Sequence, residues 1–344
     1  MSFTITVLPS GRTFATQPDE AMLTAAINAG VGLPYGCKDG ACGSCKCRKL
    51  EGTVTHGPHQ VKALSHEEET AGFILTCCAV AQTDVLIESR QVTDESAFPI
   101  KKMPSRVITL EKMSHDVMVL KLQLPANDTF RYHAGQYVEF ILRDGARRSY
   151  SMANAPHNGP GVELHIRHMP GGKFTDHVFN AMKEKEILRV EGPYGSFYLR
   201  DDSDKPMVLL ASGTGFAPIK AVIEQMQHKG ITRPATLYWG GRRPSDLYLD
   251  SWVQAQLAVM PNLTYVPVIS NALPEDNWTG RTGFVHRAVL EDFPDLSGYQ
   301  VYACGAPIVV DSARAEYTAQ GSLPSEEFYA DSFTTEADKH KETA

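Results

Sequence analysis

Four cysteines constrain this chain more than any other feature: Cys37, Cys42 and Cys45 in a C-x4-C-x2-C loop, then Cys77 after 31 intervening residues. Three sulfurs from one tight loop and a fourth from a distant segment is the thiolate spacing of a [2Fe–2S] cluster, which needs two ligands on each iron. Gly36, Gly40 and Gly43 are interleaved with the cysteines. A loop wrapped around a cluster needs positive φ angles and amides close to sulfur, and glycine permits both. A structural zinc site is the alternative, but zinc takes paired C-x2–4-C knuckles, and the second half here offers only Cys77-Cys78. Those two compete for the fourth ligand position. Cys47, just past the loop, reads as a small core residue.

Six of the seven cysteines crowd into residues 37–78 of a 344-residue chain. A disulfide scaffold would spread its bridges over a small secreted chain, so the clustering points to metal or redox chemistry. The N-terminus, MSFTITVLPSGR, has no basic start followed by an apolar stretch, and no apolar run approaches about 18 residues. A cytoplasmic chain without a membrane span is expected. A formal charge of −7 argues against a nucleic-acid partner, which calls for a basic stripe. The length accommodates about two to three cores of roughly 100–150 residues each.

The chain changes grammar twice. Residues 1–93 open with Phe3, Ile5 and Val7 alternating, a turn at Pro9-Ser10-Gly11, and a returning strand at Thr13-Phe14-Ala15. Ala21, Met22, Ala25, Ala26 and Ala29 then recur at helical spacing, with Gly30 as terminator. Residues 94–104, with two prolines and four charges, read as a linker. From 105 to 203 strand follows strand (Met118, Leu120, Leu122, Leu124; Val138, Phe140, Leu142; Val162, Leu164, Ile166), which predicts an antiparallel barrel or sandwich interrupted by a helix at 175–184. From 204 to 335 apolar runs such as Met207–Ala211 alternate with helical stretches, which predicts a parallel α/β sheet of the nucleotide-binding kind. Residues 336–344 form a polar tail. The fold class is therefore α/β multidomain.

Arg148-Ser149-Tyr150-Ser151 ends a barrel strand. An arginine can pair with a pyrophosphate, a tyrosine ring can lie against an isoalloxazine, and a serine hydroxyl can reach flavin N5. Gly171-Gly172-Lys173-Phe174-Thr175 opens the helix, whose first amides favour a phosphate. Gly213-Thr214-Gly215-Phe216-Ala217-Pro218 follows a buried strand and opens another helix; it is not G-x-G-x-x-G, because Pro218 stands at the third glycine.

In this order, with Gly192-Pro193-Tyr194-Gly195-Ser196-Phe197 closing the barrel segment, the motifs resemble the ferredoxin–NADP reductase superfamily. Within it, residues 3–333 resemble the ferredoxin-first, FAD-dependent reductase components of bacterial oxygenases, of the benzoate dioxygenase reductase type, and equally the CDP-6-deoxy-Δ3,4-glucoseen reductases. The resemblance implies a β-grasp plant-type ferredoxin domain, an antiparallel β-barrel flavin domain and a parallel-sheet nucleotide domain. It implies Cys77 as the fourth ligand, since Leu75-Thr76-Cys77-Cys78 resembles the closing ferredoxin segment, although Cys78 stands where glutamine is commoner. It implies FAD rather than FMN, held by Arg148, Ser149, Tyr150, Ser151, Ile166, Arg167, Gly171, Gly172, Lys173 and Thr175. Gly213, Thr214, Gly215, Cys304 and Gly305 would receive the nicotinamide nucleotide. Ser151, Cys304 and Phe333 would stand at the reacting centre, with Asp331 in place of the commoner glutamate.

Coenzyme choice stays open at this level. Arg242 and Arg243, past the second strand, could accept a 2′-phosphate, whereas the resemblance implies NADH. The implied activity is electron transfer from NADH through FAD and the cluster to a terminal oxygenase or other redox-acceptor protein, by a monomer. A deoxysugar dehydrase as acceptor, or a small-molecule acceptor, is the alternative. Lys38, Asp39, Lys46, Arg48 and Lys49 make the cysteine loop locally basic, so a transient, salt-sensitive docking contact is expected there. Glu67-Glu68-Glu69 reads as a solvated helix face, and His165 and His168 as ordinary strand histidines.

Overall fold

The computed structural model describes residues 2–92, 98–126 and 129–334. The chain forms two compact units, Met1–Pro99 with Asp331–Ala344, and Ile100–Ala330.

In the first unit the N-terminal alternation becomes an antiparallel hairpin, β1 (Phe3–Leu8) and β2 (Arg12–Thr16), with Ile5, Val7 and Phe14 buried. Helix α1 (Met22–Asn28) buries Met22, Leu23, Ala25 and Ala26. It stops at Gly30, whose φ of 71° turns the chain so that Val31 N–H reaches the Ala26 carbonyl at 2.8 Å. Then come β3 (Lys46–Glu51), β4 (Val54–His56), α2 (His66–Thr70), β5 (Phe73–Leu75), β6 (Ala79–Ala81) and β7 (Val85–Glu88). The sheet order is β2-β1-β7-β3-β5, with β1 and β7 parallel, and β4 pairs β6 beside it. A mixed sheet with one principal helix is the β-grasp arrangement expected. Between α1 and β3 the chain has no long regular element, and that stretch is the cysteine loop.

Of the expected linker, residues 94–97 lie outside the described residues, and 101–104 belong to strand β8 (Lys101–Lys112). The reason is pairing: β13 (Ile187–Tyr194) lies opposite this stretch, with Lys102 opposite Glu191 and Pro104 opposite Arg189. β9 (Val117–Gln123), β10 (Tyr137–Ile141), β11 (Arg147–Ser151) and β12 (Gly161–Arg167) complete the order β11-β10-β13-β8-β9-β12. The two edges meet where Met152 bridges Leu164, which closes the sheet into a barrel around Val107, Leu120, Phe140, Leu164 and Ile166. Alternation breaks in the first half of β9, where Val117 to Leu120 are all buried. Val119 lies opposite His165, and Tyr248 of the nucleotide half covers that outer face. Helix α3 spans Lys173–Asn180, two residues earlier at its start and four at its end than the periodicity predicts. Gly172 caps it in extended backbone, and Lys185, at φ 71°, turns the chain into β13.

The nucleotide half runs β14 (Met207–Ser212), α4 (Phe216–Lys229), β15 (Ala235–Gly241), α5 (Asp250–Leu257), β16 (Leu263–Ile269), β17 (Arg281–Thr282), α6 (Val285–Asp292), β18 (Gln300–Gly305), α7 (Pro307–Ala319) and β19 (Phe328–Ser332). The order β17-β16-β15-β14-β18-β19 is parallel from β17 through β18 and reverses direction between β14 and β18. A crevice at the carboxyl ends of the strands opens at such a reversal, and nucleotides bind there. Among the described residues no helix is long and apolar enough to cross a membrane. The expected polar tail, 336–344, lies outside the described residues.

Candidate functional site

The cysteine loop gathers its sulfurs in pairs. Cys45 and Cys77 approach to 3.2 Å, and the Cys37 thiol donates to Cys42, whose sulfur also lies 3.4 Å from the Cys37 amide nitrogen. That thiol and the amides of Cys37 and Ser44 lower the Cys42 thiol to about 6, against the opposing effect of burial. Thiolate-stabilising amides are what a cluster-binding loop must supply. Cys37 with Cys42, and Cys45 with Cys77, make two sulfur pairs, an arrangement that suits the two irons of a [2Fe–2S] cluster. Cys78 lies 3.6 Å from Cys77 but its thiol faces the Pro58 carbonyl at 3.5 Å. Cys47 is a buried residue of β3, its thiol pushed well up by burial. Gly40 and Gly43 take φ of 75° and 72° as expected; Gly36 does not, and its constraint is that a Cβ there would lie 3.2 Å from the Cys42 sulfur.

The loop's basic character is smaller than its sequence indicates. Lys46 pairs with Glu68 at 2.6 Å, which offsets its charge, whereas the Lys49 ammonium donates to the neutral Gly52 carbonyl at 2.9 Å and Arg48 is exposed. Glu68 is correspondingly more than a solvated face: with Ser65 it forms the capping box of α2, whose five residues bury none of their side chains.

In β11 the pleat sends neighbouring residues to opposite sides. Arg147 faces Glu139 and Glu191 at 2.7 and 2.8 Å, and Ser149 lies on that side. Arg148 and Tyr150 take the other side, where the Tyr150 ring packs 5.5 Å from Phe174 in the first turn of α3. The arginine, the aromatic face and the α3 N-terminus, which carries no side-chain cap, thus belong to one neighbourhood, a donor set that fits a flavin with its pyrophosphate. Ser151 is buried at the strand end, opposite Tyr137. The Ile166 side chain is core, so that position can offer a cofactor only its main chain. The Thr175 hydroxyl donates to the Met169 carbonyl at 2.9 Å and closes the turn, and Lys173 pairs with Asp144 at 2.7 Å. Gly171, at φ 82°, has open space about it.

Arg167, at the end of β12, pairs with Asp116 at 2.7 Å and reaches the nucleotide half: a Cβ on Gly213 would lie 3.2 Å from its guanidinium. The Gly213–Gly215 turn is held by the Trp239 indole, which donates to the Gly213 carbonyl at 3.0 Å and whose ring stacks on Phe216. Thr214 is buried. A Cβ on Gly215 would lie 2.1 Å from the Cys304 carbonyl oxygen, and one on Gly305 would lie 2.3 Å from that of Ser212. The two loops at the switch point therefore meet backbone to backbone, with Cys304 buried between strand and loop. Phe333, half-buried, follows β19.

Sequence reasoning missed a buried polar network joining barrel and nucleotide halves. Lys220 of α4 contacts Glu224 at 2.6 Å, Glu163 at 3.1 Å and the Ala153 carbonyl at 3.1 Å. Glu224 accepts from the Ala155 amide and the Asn158 side chain, and His165 bridges Glu163 and the Tyr248 hydroxyl. His165 is thus a fully buried member of a network, its proton affinity lowered by burial. No local pattern could have revealed it, because its partners lie up to 83 residues apart.

Comparison with known proteins matches the three modules in turn. The 2Fe-2S iron-sulfur cluster binding domain family matches residues 5–82, the oxidoreductase FAD-binding domain family residues 104–198, and the oxidoreductase NAD-binding domain family residues 209–315. The CDP-6-deoxy-L-threo-D-glycero-4-hexulose-3-dehydrase reductase of Yersinia pestis is 39% identical over 97% of this chain and 99% of its own length. The chain belongs to the ferredoxin-first flavin reductases. A reductase component of terephthalate 1,2-dioxygenase from Comamonas is 35% identical over 97% of the chain and 98% of its own length. Among solved structures, the Amycolatopsis cytochrome P450 reductase GcoB superposes with a TM-score of 0.78 at 30% identity, covering 97% of this chain and 99% of that one. As a ferredoxin-first flavin reductase, the protein is an oxidoreductase that uses a nicotinamide coenzyme, FAD and a [2Fe–2S] cluster to transfer electrons.

Proposed function

We propose that this reductase draws electrons from NADH and delivers them to a separate acceptor protein, an oxygenase component, working as a monomer in the cytoplasm. The observation that carries the reading is the abutment of Arg167, on the flavin strand, with Gly213, in the nicotinamide loop, within a chain that also bears the cysteine loop. When bound, the flavin accepts a hydride and the cluster passes on single electrons. The chain's own part is positional. Cys37 with Cys42, and Cys45 with Cys77, would hold the two irons; Arg148 would pair with the flavin pyrophosphate; Ser151, Cys304 and Phe333 would border the reacting rings. Ser149, Tyr150, Ile166, Arg167, Gly171, Gly172, Lys173 and Thr175 complete the proposed flavin contacts, and Gly213, Thr214, Gly215 and Gly305 the nicotinamide side. Module limits of 1–93, 105–203 and 204–335 belong to the same proposal; strand β8 itself begins four residues before the second of them, at Lys101. The 39% identity to the Yersinia dehydrase reductase favours a second acceptor, a deoxysugar dehydrase. Assaying the purified chain with NADH and each acceptor protein separates the two; turnover of small acceptors only, with neither protein reduced, would overturn both.

Arg148→Ala should weaken FAD retention by about 1.5–3 kcal/mol, roughly 10- to 150-fold in Kd, the range of a charged hydrogen bond. Flavin titration of the stripped protein measures it, and unchanged affinity would remove Arg148 from the flavin site.

For docking, Arg48 is a better probe than Lys46, because Lys46 is engaged with Glu68 in supporting α2. Arg48→Glu should slow reduction of the protein acceptor several-fold at low salt and leave ferricyanide reduction unchanged, with the difference fading as screening shortens to about 8 Å at physiological ionic strength. A partner rate indifferent to both charge and salt would place the docking face elsewhere.

A further inference from the structure

Where β15 ends, the two arginines that could read a coenzyme phosphate are not equally available. The Arg243 guanidinium is gripped by the Asp276 carboxylate through two bonds of 2.7 Å, from Nε and Nη2, and Glu275 lies 3.6 Å away. The backbone is engaged as well: one oxygen of Asp246 accepts from the amides of both Arg242 and Arg243, at 2.8 and 3.1 Å. These amides at a turn would otherwise be an anion's natural donors. Arg242 is exposed and its side chain makes no ion pair among the described residues. The register sets Gly240 beside Ser212, so this turn lies next to the Gly213–Gly215 loop at the carboxyl edge of the sheet. That is where the second strand of a nucleotide-binding sheet meets the coenzyme's adenosine ribose.

We propose that Asp276 biases coenzyme choice: by holding Arg243 it withholds from a 2′-phosphate one of the two guanidiniums that the sequence offers, and so shifts this site toward NADH. The proposal deepens the NADH reading above and rests on it. A 2′-phosphate arriving at this turn meets the carboxylates of Asp246, Glu275 and Asp276 and amides already occupied, with Arg243 engaged and Arg242 left as the exposed guanidinium. A 2′-hydroxyl can donate to those carboxylates, which a 2′-phosphate cannot. Asp276 lies 33 residues from Arg243, in a short helical turn at Pro274–Asp276, where its carboxylate also accepts from the Leu273 amide at 2.8 Å.

The test uses FAD-loaded protein and two probes that differ only by the 2′-phosphate, 5′-AMP and 2′,5′-ADP, with dissociation constants measured by calorimetry. Asp276→Asn retains a carbonyl oxygen for the Leu273 amide. It should tighten 2′,5′-ADP by about tenfold, the worth of one charge-assisted contact, and leave 5′-AMP within about twofold. Adding Arg243→Ala should abolish the gain, and NADPH should improve relative to NADH in kcat/KM in step with the probe. Arg243→Ala alone should change 5′-AMP affinity less than about twofold, because that guanidinium is already engaged; this arm stands even where Asp276→Asn fails to fold. A wild type that prefers 2′,5′-ADP overturns the NADH reading itself. A wild type that prefers 5′-AMP, with Asp276→Asn unresponsive or Arg243→Ala losing 5′-AMP, overturns only the role given to Asp276.

Discussion

Cys42→Ser should yield a flavoprotein that reduces ferricyanide with NADH within about twofold of the parent rate, yet reduces cytochrome c or a protein acceptor at least about 100-fold more slowly. Ferricyanide can draw electrons directly from flavin, whereas delivery to a protein acceptor requires the cluster. The Cys42 sulfur is the one the loop prepares most thoroughly, with the Cys37 thiol and the amides of Cys37 and Ser44 directed at it. A serine hydroxyl there is a poorer iron ligand and remains protonated at neutral pH. The same logic ranks the two neighbouring cysteines. Cys77→Ser removes the partner that lies 3.2 Å from Cys45 and should strip the protein of about two irons and two acid-labile sulfides per flavin. Cys78→Ser alters a side chain that faces the Pro58 carbonyl and should leave the iron content intact. Iron and sulfide analysis with the two activity assays decides the matter. Equal loss of both activities in folded, flavin-loaded Cys42→Ser protein would contradict the proposed order of electron flow.

Lys220→Met should cost about 3–5 kcal/mol of stability, because it leaves Glu163 and Glu224 facing each other with their shared cation gone. The Lys220 side chain is only 8% exposed and its partners 13–15%, so water cannot take its place. Arginine at this position should recover only part of the loss, since its planar fork cannot reproduce a single ammonium's three contacts. The network also makes a pH prediction. Burial opposes ionisation of Glu163, yet His165 and Lys220 outweigh it and bring the carboxyl from 4.5 down to about 2. A depressed carboxyl contributes stability above its unfolded value and loses it as pH falls through the folded one. A contribution on the order of 3 kcal/mol is therefore present at neutral pH and disappears between about pH 4.5 and 2. Glu163→Gln should flatten that acid limb, as read from denaturant midpoints at pH 5, 4 and 3. An equally steep limb in the variant would assign acid sensitivity to other carboxylates.

The hairpin at Phe3–Thr16, the barrel strands and the β14–α4 unit were all readable from period and turn chemistry, because each is decided by residues close in sequence. So were the C-x4-C-x2-C spacing and the strand that carries R-x-Y-S, because each lies within a single short segment. The rest depends on partners brought together by folding. Nothing near Arg243 indicates that Asp276 neutralises it, and nothing near Lys46 indicates Glu68. Periodicity also misplaced α3, since its boundaries are set by Gly172 and by the Thr175–Met169 turn closure rather than by apolar spacing. A count of charges along the loop overstated its basicity for the same reason. Ionic character at a surface is a property of pairs, and pairing across a sheet has no local signature.

The backbone contact between Gly215 and Cys304, matched by that between Gly305 and Ser212, has a consequence for how this protein can change. At both positions any side chain collides with main chain, which cannot swing aside as a rotamer would, so libraries randomised there would be almost entirely inactive. On the proposed nicotinamide side, adaptation to a different coenzyme derivative would enter instead through neighbours that already carry side chains, such as Thr214, Cys304 and the Trp239 that anchors the turn. The crevice is thus mutable around its rim and closed to mutation at its seam.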